Sequence, residues 1–236
     1  MLIFPNKEFV KWAAEALVIA LGVFLGITAE SLWQEQNDRR QEIQHLIALR
    51  EDFNESLKLL DEVEESQKLQ VQYLQLLLQE NAETADPIKV REWIRVGLYN
   101  LSRYEPQLSA LQDLESSGQV QLIRDAAIRR GLAKLQQQIG LFQRRETDIF
   151  EFQQQLIDPY LVSNFDLTAI LDIGELSIVG KESPAVIDSS KLETAELRSA
   201  IAFKLSIRRL LRDDQAEIRA QIERVLALIQ KQLEPD

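Results

Sequence analysis

The sequence predicts an all-α protein in which an N-terminal transmembrane helix continues into a long helix and is followed by an antiparallel helical bundle. Only 8 glycines and 6 prolines are spread over 236 residues, and 45% of the residues are hydrophobic, which favours helices with a true core over a sandwich or a disordered chain. An apolar run precedes a long stretch of heptad spacing. We therefore divide the chain into a short tail (1–9), a transmembrane helix (10–33) and a helical bundle domain (34–236).

The transmembrane prediction rests on the segment 16–29, in which no residue is more polar than Thr28. Because about 20 helical residues are needed to cross ~30 Å of hydrocarbon, the crossing must include residues on both sides of this segment. Trp12 and Trp33 lie roughly 31 Å apart along a helix, and indoles favour the two interfaces of a bilayer. A cleaved signal peptide is disfavoured because Glu15 precedes the apolar core and no good cleavage site follows it. A buried core helix is the remaining alternative.

One face of this helix is small and polar. At 100° per residue, five side chains project within about 60° of one another. They are Glu15, Gly22, Gly26, Ala29 and Trp33. The Gly22-x-x-x-Gly26 spacing is typical of membrane helices that pack closely, and an ionisable Glu15 is costly in lipid. We expect this face to be an interface between copies of the chain, and the alternative is a Glu15 side chain that extends to the headgroups.

The charges that flank the apolar segment specify its orientation weakly. Lys7 and Lys11 precede it, whereas Glu30, Glu35 and Asp38 follow it closely. Because cytoplasmic flanks carry an excess of Lys and Arg, we expect the N-terminus in the cytoplasm and the helical domain on the opposite side of the membrane.

The long helix is predicted from the absence of Pro and Gly between Trp33 and Pro87 and from apolar spacings of three and four. Continuous with the apolar segment, it would form a rod of roughly 100 Å. The predicted buried stripe is Ile43, Leu46, Arg50, Phe53, Leu57, Leu60, Glu64, Gln67, Val71, Leu74 and Leu78. Arg50, Glu64 and Gln67 form a polar seam in this stripe, which indicates a loosened or water-filled zone or a site of partner contacts.

The remaining elements are predicted from caps and chain breaks. Pro87 begins an amphipathic segment, Gly118 ends a short helix, and Asp125 caps a long helix that ends near the next proline. Residues 163–190 form an irregular excursion with a short strand-like piece at 176–179, and residues 193–232 form the last long helix. The stripe of the Asp125-capped helix is Ile128, Leu132, Leu135, Ile139, Phe142, Ile149 and Leu156. The stripe of the last helix is Leu197, Ile201, Leu205, Leu211, Ile218, Ile222, Val225 and Ile229.

Catalytic and metal-binding patterns are absent from the sequence. The chain has no Cys, which excludes disulfides, thiolate zinc sites and thiol nucleophiles, and His45 is its only His. Glu42-x-x-His45 has the spacing of the di-iron bundle motif, but that motif must occur twice. We therefore expect no catalytic residues, no cofactor and no metal.

A basic stripe on the last helix has two interpretations. Lys204, Arg208 and Arg212 follow one another at four-residue intervals beside Arg209. A groove for nucleic acid or anionic lipid is one interpretation. Pairing with the acidic stretch 61–65 of the long helix is favoured, because the net charge of the chain is −11, and we expect no nucleic-acid partner.

Two stretches carry a resemblance to a known family. They are EALVIALGVFLGITAESLWQEQNDRRQEIQHL, followed by a Leu-x-x-Asp-Phe stretch, and ALQDLESSGQVQLIRDAAIRRGL at 110–132. Together they resemble an uncharacterised family of bacterial single-span membrane proteins, a domain of unknown function, over roughly residues 10–160. The resemblance implies a bacterial inner-membrane anchor with a helical domain, placed in the periplasm by the charge argument, and it implies no chemistry.

These observations predict a non-enzymatic, membrane-anchored helical scaffold or accessory subunit. Its expected partners are the lipid bilayer, further copies of the chain through the span and the long helix, and another membrane protein. The alternative is a membrane-anchored ligand-sensing bundle, in which the polar seam binds a small anion and a partner protein relays the signal.

Overall fold

The computed structural model of the chain describes residues 7–80, 84–100, 102–170 and 187–234, and of residues 7–11, 13–16, 19 and 169 it describes only the backbone. Throughout these residues the regular secondary structure is helical, which confirms the all-α class. The strand-like piece predicted at 176–179 lies outside the described residues.

The first helix, α1 (Lys7–Gln79), is unbroken over 73 residues and is roughly 110 Å long at 1.5 Å per residue. The predicted continuity between the N-terminal apolar segment and the long helix is therefore confirmed. Over the described part of the chain, no helix combines the length and the apolarity that a membrane crossing requires. The transmembrane character of residues 10–33 stays a prediction.

The shorter elements begin and end where the sequence places caps. Asp86 accepts a hydrogen bond from the backbone N–H of Ile88 at 3.0 Å, and Gly118 follows a helix with a φ of 71°, in the left-handed region that favours glycine. The elements after α1 are α2 (Pro87–Glu92) with a π-helical continuation (Trp93–Tyr99), α3 (Ser109–Ser116), a 3-10 turn (Gln119–Leu122), α4 (Ala126–Phe152) with a π-helical continuation (Gln153–Ile157), α5 (Asp158–Asn164), α6 (Leu167–Ile170), a 3-10 turn (Ser189–Lys191) and α7 (Ala195–Leu233).

Helix α7 runs antiparallel to α1. The guanidinium of Arg219 lies 2.7 Å from the carboxylate of Asp61. Arg198, earlier in α7, donates to the carbonyl oxygen of Leu78, later in α1, at 3.0 Å. Since the order of these contacts reverses between the two helices, their directions are opposite.

Helix α7 also runs antiparallel to α4, as two contacts show. Asp214 of α7 forms an ion pair with Arg145, which lies in the second half of α4. Gln232, near the end of α7, donates to the carboxylate of Asp125, the residue that caps the start of α4, at 3.4 Å. Later residues of α7 therefore lie beside earlier residues of α4.

Helices α1 and α4 consequently run in the same direction, which corrects the prediction of a wholly antiparallel bundle. The reason is the connection 102–124, which runs back along α1 before α4 begins. Its backbone meets Ser56 of α1 at Gln107 and Glu42 at Arg124. The chain thus returns to the Glu42 end of the bundle, which we call the lower end, and α4 starts there.

The buried stripe of α1 differs from the predicted one at every second position. Leu46, Phe53, Leu60, Gln67 and Leu74 are buried as predicted. The other buried positions lie one residue earlier than predicted, at Glu42, Leu49, Ser56, Gln70 and Leu77. The residues that were expected to be buried but are only partly so are Ile43, Arg50, Leu57, Glu64, Val71 and Leu78.

Three of these buried positions are polar because they hold irregular backbone, two of them in the returning connection and the third at Asn100, just before it. The Glu42 carboxylate accepts a hydrogen bond from the backbone N–H of Arg124 at 2.7 Å, and the Ser56 hydroxyl donates to the carbonyl oxygen of Gln107 at 2.9 Å. Gln70 donates from its side-chain amide to the carbonyl oxygen of Asn100. A backbone without regular structure needs such partners when it is buried.

Two apolar cores fill the bundle, one on each side of a polar layer. The lower core contains Phe53 and Phe142, and the upper core contains Leu74, Trp93 and Ile201. The buried polar residues at and beside the boundary of the two cores are Gln67 and Gln70 of α1, Glu146 of α4, Gln153 of the π-helical continuation, and Lys204, Arg208 and Gln215 of α7. We call these seven residues the polar layer.

The stripes of α4 and α7 depart from prediction near this layer. Leu156 is 52% exposed and Ile157 is buried instead, because the π-helical turn shifts the facing side chains by one residue. On α7, Leu205 is only partly buried, while Lys204 and Arg208 are buried on either side of it.

Candidate functional site

The N-terminal part of α1 exposes large apolar side chains on every face. Trp12 and Trp33, the predicted boundary residues, are 72% and 68% exposed. The other large apolar side chains exposed between them are Leu17, Val18, Leu21, Val23, Phe24, Leu25, Ile27 and Leu32. We call residues 16–33 the apolar segment.

Three of the predicted interface residues, Gly22, Gly26 and Ala29, lie on the exposed surface of this segment. A Cβ atom added to Gly22 or Gly26 would meet no atom within 4 Å, and Ala29 is exposed. The structure describes only the backbone of Glu15. The backbone at both glycines is therefore accessible to a second helix.

Lys204 is the most deeply buried charged group of α7. It is 1% exposed and donates to the carbonyl oxygen of Leu98 at 2.7 Å and to the side-chain oxygen of Gln153 at 2.8 Å. Burial, helped by the nearby charge of Arg208 and opposed by Asp158, lowers the pKa of Lys204 to about 7. A neutral amine keeps two N–H donors, which match its two acceptors.

Glu146, Arg208 and Ser102 line a cavity of about 10 Å³. The Glu146 carboxylate accepts a hydrogen bond from the backbone N–H of Tyr104 at 3.1 Å, and burial raises the pKa of Glu146 while Arg103 and Arg208 oppose this. Arg208 is 4% exposed, and its Nε atom has no hydrogen-bond partner in the described structure.

A cavity of about 810 Å³ opens between α1 and α7 at the edge of the polar layer. Gln67, Arg208 and Gln215 line its inner part, and Arg209 and Arg212 line it nearer the surface. We call this cavity the α1–α7 groove. Its volume lies within the range of roughly 300–1,000 Å³ that small-molecule sites occupy.

The structure brings together two of the three predicted seam residues. Glu64 and Gln67 both line the groove. Arg50 does not line it, since it precedes Glu64 by about 21 Å along α1.

The predicted pairing between α7 and the acidic stretch 61–65 occurs through a different arginine. Arg219 lies 2.7 Å from Asp61 and 3.1 Å from Glu64. Lys204 and Arg208 are buried in the polar layer, and Arg212 forms no ion pair with any residue that the structure describes. In the sequence, the only sign that Lys204 and Arg208 are buried is the gap in the apolar stripe of α7 between Leu205 and Leu211.

Glu42 of the Glu42-x-x-His45 pair has a structural role. Glu42 is fully buried and pairs with Arg39 at 2.7 Å in addition to capping the backbone of Arg124. Within the described ranges, no group of His, Cys, Asp and Glu is placed to hold a metal ion.

No protein-family model, curated protein or solved structure matches this chain. The resemblance to bacterial single-span proteins therefore stays a prediction.

Proposed function

We propose that this chain is a membrane-anchored helical protein that self-associates through its apolar segment and long helix and serves as a scaffold or accessory subunit. The observation that supports the proposal is the exposure of ten large apolar side chains around the N-terminal part of α1. Fully burying one such side chain contributes roughly 1.5–3 kcal/mol. Because these ten side chains are 51–72% exposed, leaving them in water costs on the order of 10–20 kcal/mol.

Lipid is the environment that covers a helix on every face at once. A partner protein that buries one side leaves the opposite side in water, whereas acyl chains surround the whole helix. Trp12 and Trp33 stand at the separation expected of interfacial indoles. The proposed location is a bacterial inner membrane with the bundle in the periplasm.

Self-association is supported by the accessible face of Gly22 and Gly26. Close approach of two helices in lipid depends on van der Waals packing, because no hydrophobic effect drives helices together there. Side chains added at these glycines would separate the two backbones.

Membrane retention tests the anchor. We expect the chain to remain in the membrane fraction after extraction at alkaline pH, and the double variant Leu21→Arg/Leu25→Arg to be released, since each central arginine costs about 2.5–3.5 kcal/mol on insertion. Leu69→Arg is the matched control, because Leu69 is an exposed leucine on the bundle part of α1. Release of the unmodified chain would contradict the anchor.

Oligomer size in native nanodiscs tests the interface. We expect Gly22→Ile and Gly26→Ile to reduce assembly, and Phe24→Ile, on the opposite face, to leave it unchanged. Glu15→Gln should preserve assembly while Glu15→Leu weakens it by roughly 1 kcal/mol. Unchanged assembly in both glycine variants would place any association in the long helices.

Orientation is tested in the cysteine-free chain by single cysteines in intact cells. Ser116 is exposed in the bundle, so Ser116→Cys should react with an impermeant maleimide, whereas Asn6→Cys should not. The reverse pattern would place the bundle in the cytoplasm.

A further inference from the structure

The α1–α7 groove contains buried polar groups that the protein itself leaves without partners. The side-chain nitrogen of Gln67, Nε of Arg208 and both amide atoms of Gln215 have no hydrogen bond in the described structure. Each of these residues is more than nine-tenths buried and lines the groove. Because buried polar groups are normally paired, three residues with unpaired groups beside one cavity favour a polar ligand there.

The charge of the groove selects an anion. Arg208, Arg209 and Arg212 line one side of it. The acidic residues of the lining are Glu64 and Glu223, and Glu64 is already paired with Arg219 at 3.1 Å. Guanidinium groups bind the oxygens of carboxylates and phosphates in a bidentate geometry, which makes an oxyanion the natural partner.

The apolar part of the lining selects an organic anion over an inorganic one. Val71, Leu205, Ala216 and Ala220 also border the groove. A volume of about 810 Å³ exceeds what a single phosphate or carboxylate fills, so an apolar body can lie against these side chains while the oxyanion meets the arginines.

We propose that the α1–α7 groove binds a small organic oxyanion, a carboxylate or a phosphate ester with an apolar body. The ligand comes from solution and not from the bilayer. Gln67 follows Trp33 by about 50 Å along α1, so a headgroup of the proposed anchoring membrane cannot reach the groove. Only the exclusion of a membrane headgroup as the ligand rests on the proposed anchor.

Calorimetric titration of the full chain in phosphatidylcholine nanodiscs tests the proposal, with phenyl phosphate and phenylacetate as probes. We expect saturable binding of at least one of them, and the tighter of the two identifies the head group. Benzyl alcohol, which has the same ring without charge, should bind at least about tenfold more weakly. Equal binding of benzyl alcohol, or no saturable binding of either anion, would overturn the proposal.

Variants locate the site. Arg209→Gln/Arg212→Gln should weaken binding by about tenfold or more, because both arginines are exposed side chains whose loss leaves the core intact. Lys231→Gln removes one exposed charge from the same helix outside the groove and should change affinity less than about twofold. Wild-type affinity in the double variant would overturn the proposal. This outcome would not affect the proposed membrane anchor, which the membrane-retention experiment tests separately.

Gln67→Leu separates a ligand-binding role from a structural one. If Gln67 serves a ligand, removing its unpaired side-chain nitrogen should weaken binding of the anion while raising the Tm. A lowered Tm with unchanged affinity would show that Gln67 only stabilises the fold, and it would overturn the assignment of Gln67 to the ligand.

Discussion

The two parts of α1 belong to one helix and differ in how their apolar residues are arranged. In the apolar segment 16–33 they occupy every face and pack against nothing in the described chain. In residues 42–77 the buried positions recur at intervals of three and four, apart from one step of seven from Leu60 to Gln67, and face α7 and the returning connection. A seven-residue period thus indicates a helix with one side covered by the protein, whereas apolar residues on every face of a helix indicate apolar surroundings on every side.

The largest expected difference in the free energy of unfolding is between substitutions of two phenylalanines of this helix. Phe53 is fully buried in the lower core, whereas Phe24 is 63% exposed. Phe53→Ala should lower the free energy of unfolding by about 3–5 kcal/mol. Phe24→Ala should change it by less than about 0.5 kcal/mol. Urea unfolding in nanodiscs, followed by circular dichroism, measures both, and equal losses would contradict the comparison.

The polar layer should make the packed part sensitive to pH. Because the pKa of Lys204 falls from 10.5 to about 7 on folding, the unfolded chain binds more protons between these values, and stability rises with pH by up to about 1.4 kcal/mol per unit. Below pH 7 both states are protonated and this dependence ends. Lys204→Met should abolish the rise, and the exposed Lys231→Met should retain it; a Lys204→Met variant that keeps the wild-type slope would refute the assignment.

The buried serine that holds the connection gives a smaller effect. Ser56→Ala removes the donor to the carbonyl oxygen of Gln107 and should cost about 1–2 kcal/mol. Ser31→Ala, at an exposed position of the apolar segment, should leave the unfolding free energy of the bundle unchanged. Thermal unfolding compares the two, and a similar loss in both would contradict the difference between the regions.

The smallest expected effect on the free energy of unfolding comes from a comparison of Gly131 and Gly22. A Cβ atom at Gly131 would lie 2.7 Å from Cγ2 of Val225, so Gly131→Ala should cost about 1 kcal/mol after the helix-propensity gain is subtracted from the cost of overpacking. Gly22→Ala meets nothing within 4 Å and should not destabilise the bundle. A stabilised Gly131→Ala variant in urea titration would show that Val225 moves aside freely.

The sequence predicts the helices well but only half of the buried positions of α1. Leu46, Phe53 and Leu60 are apolar at buried positions, so periodicity finds them. Ser56 and Gln70 are polar at equally buried positions, and their partners lie in a connection whose path no local pattern predicts. Apolar neighbours one residue later were therefore assigned to the core.

The candidate site was predictable only in part. Glu64 and Gln67 are conspicuous as polar residues in a heptad stripe and line the groove, whereas Arg50, which meets the same criterion, does not line it. Lys204 and Arg208 are buried, whereas the sequence predicts either a groove for nucleic acid or anionic lipid, or pairing with the acidic stretch 61–65, because long charged side chains are rarely buried. The burial of Lys204 depends on the π-helical turn at Gln153 and on the carbonyl oxygen of Leu98, which only the folded chain brings together.

Tryptophan quenching by lipid tests the anchor most directly. Trp33 is exposed at the end of the apolar segment, whereas Trp93 is buried in the upper core. In nanodiscs of phosphatidylcholine brominated on its acyl chains, a variant that retains only Trp33 should lose most of its fluorescence, and one that retains only Trp93 should lose none. Undiminished emission from Trp33 would contradict contact between the apolar segment and lipid.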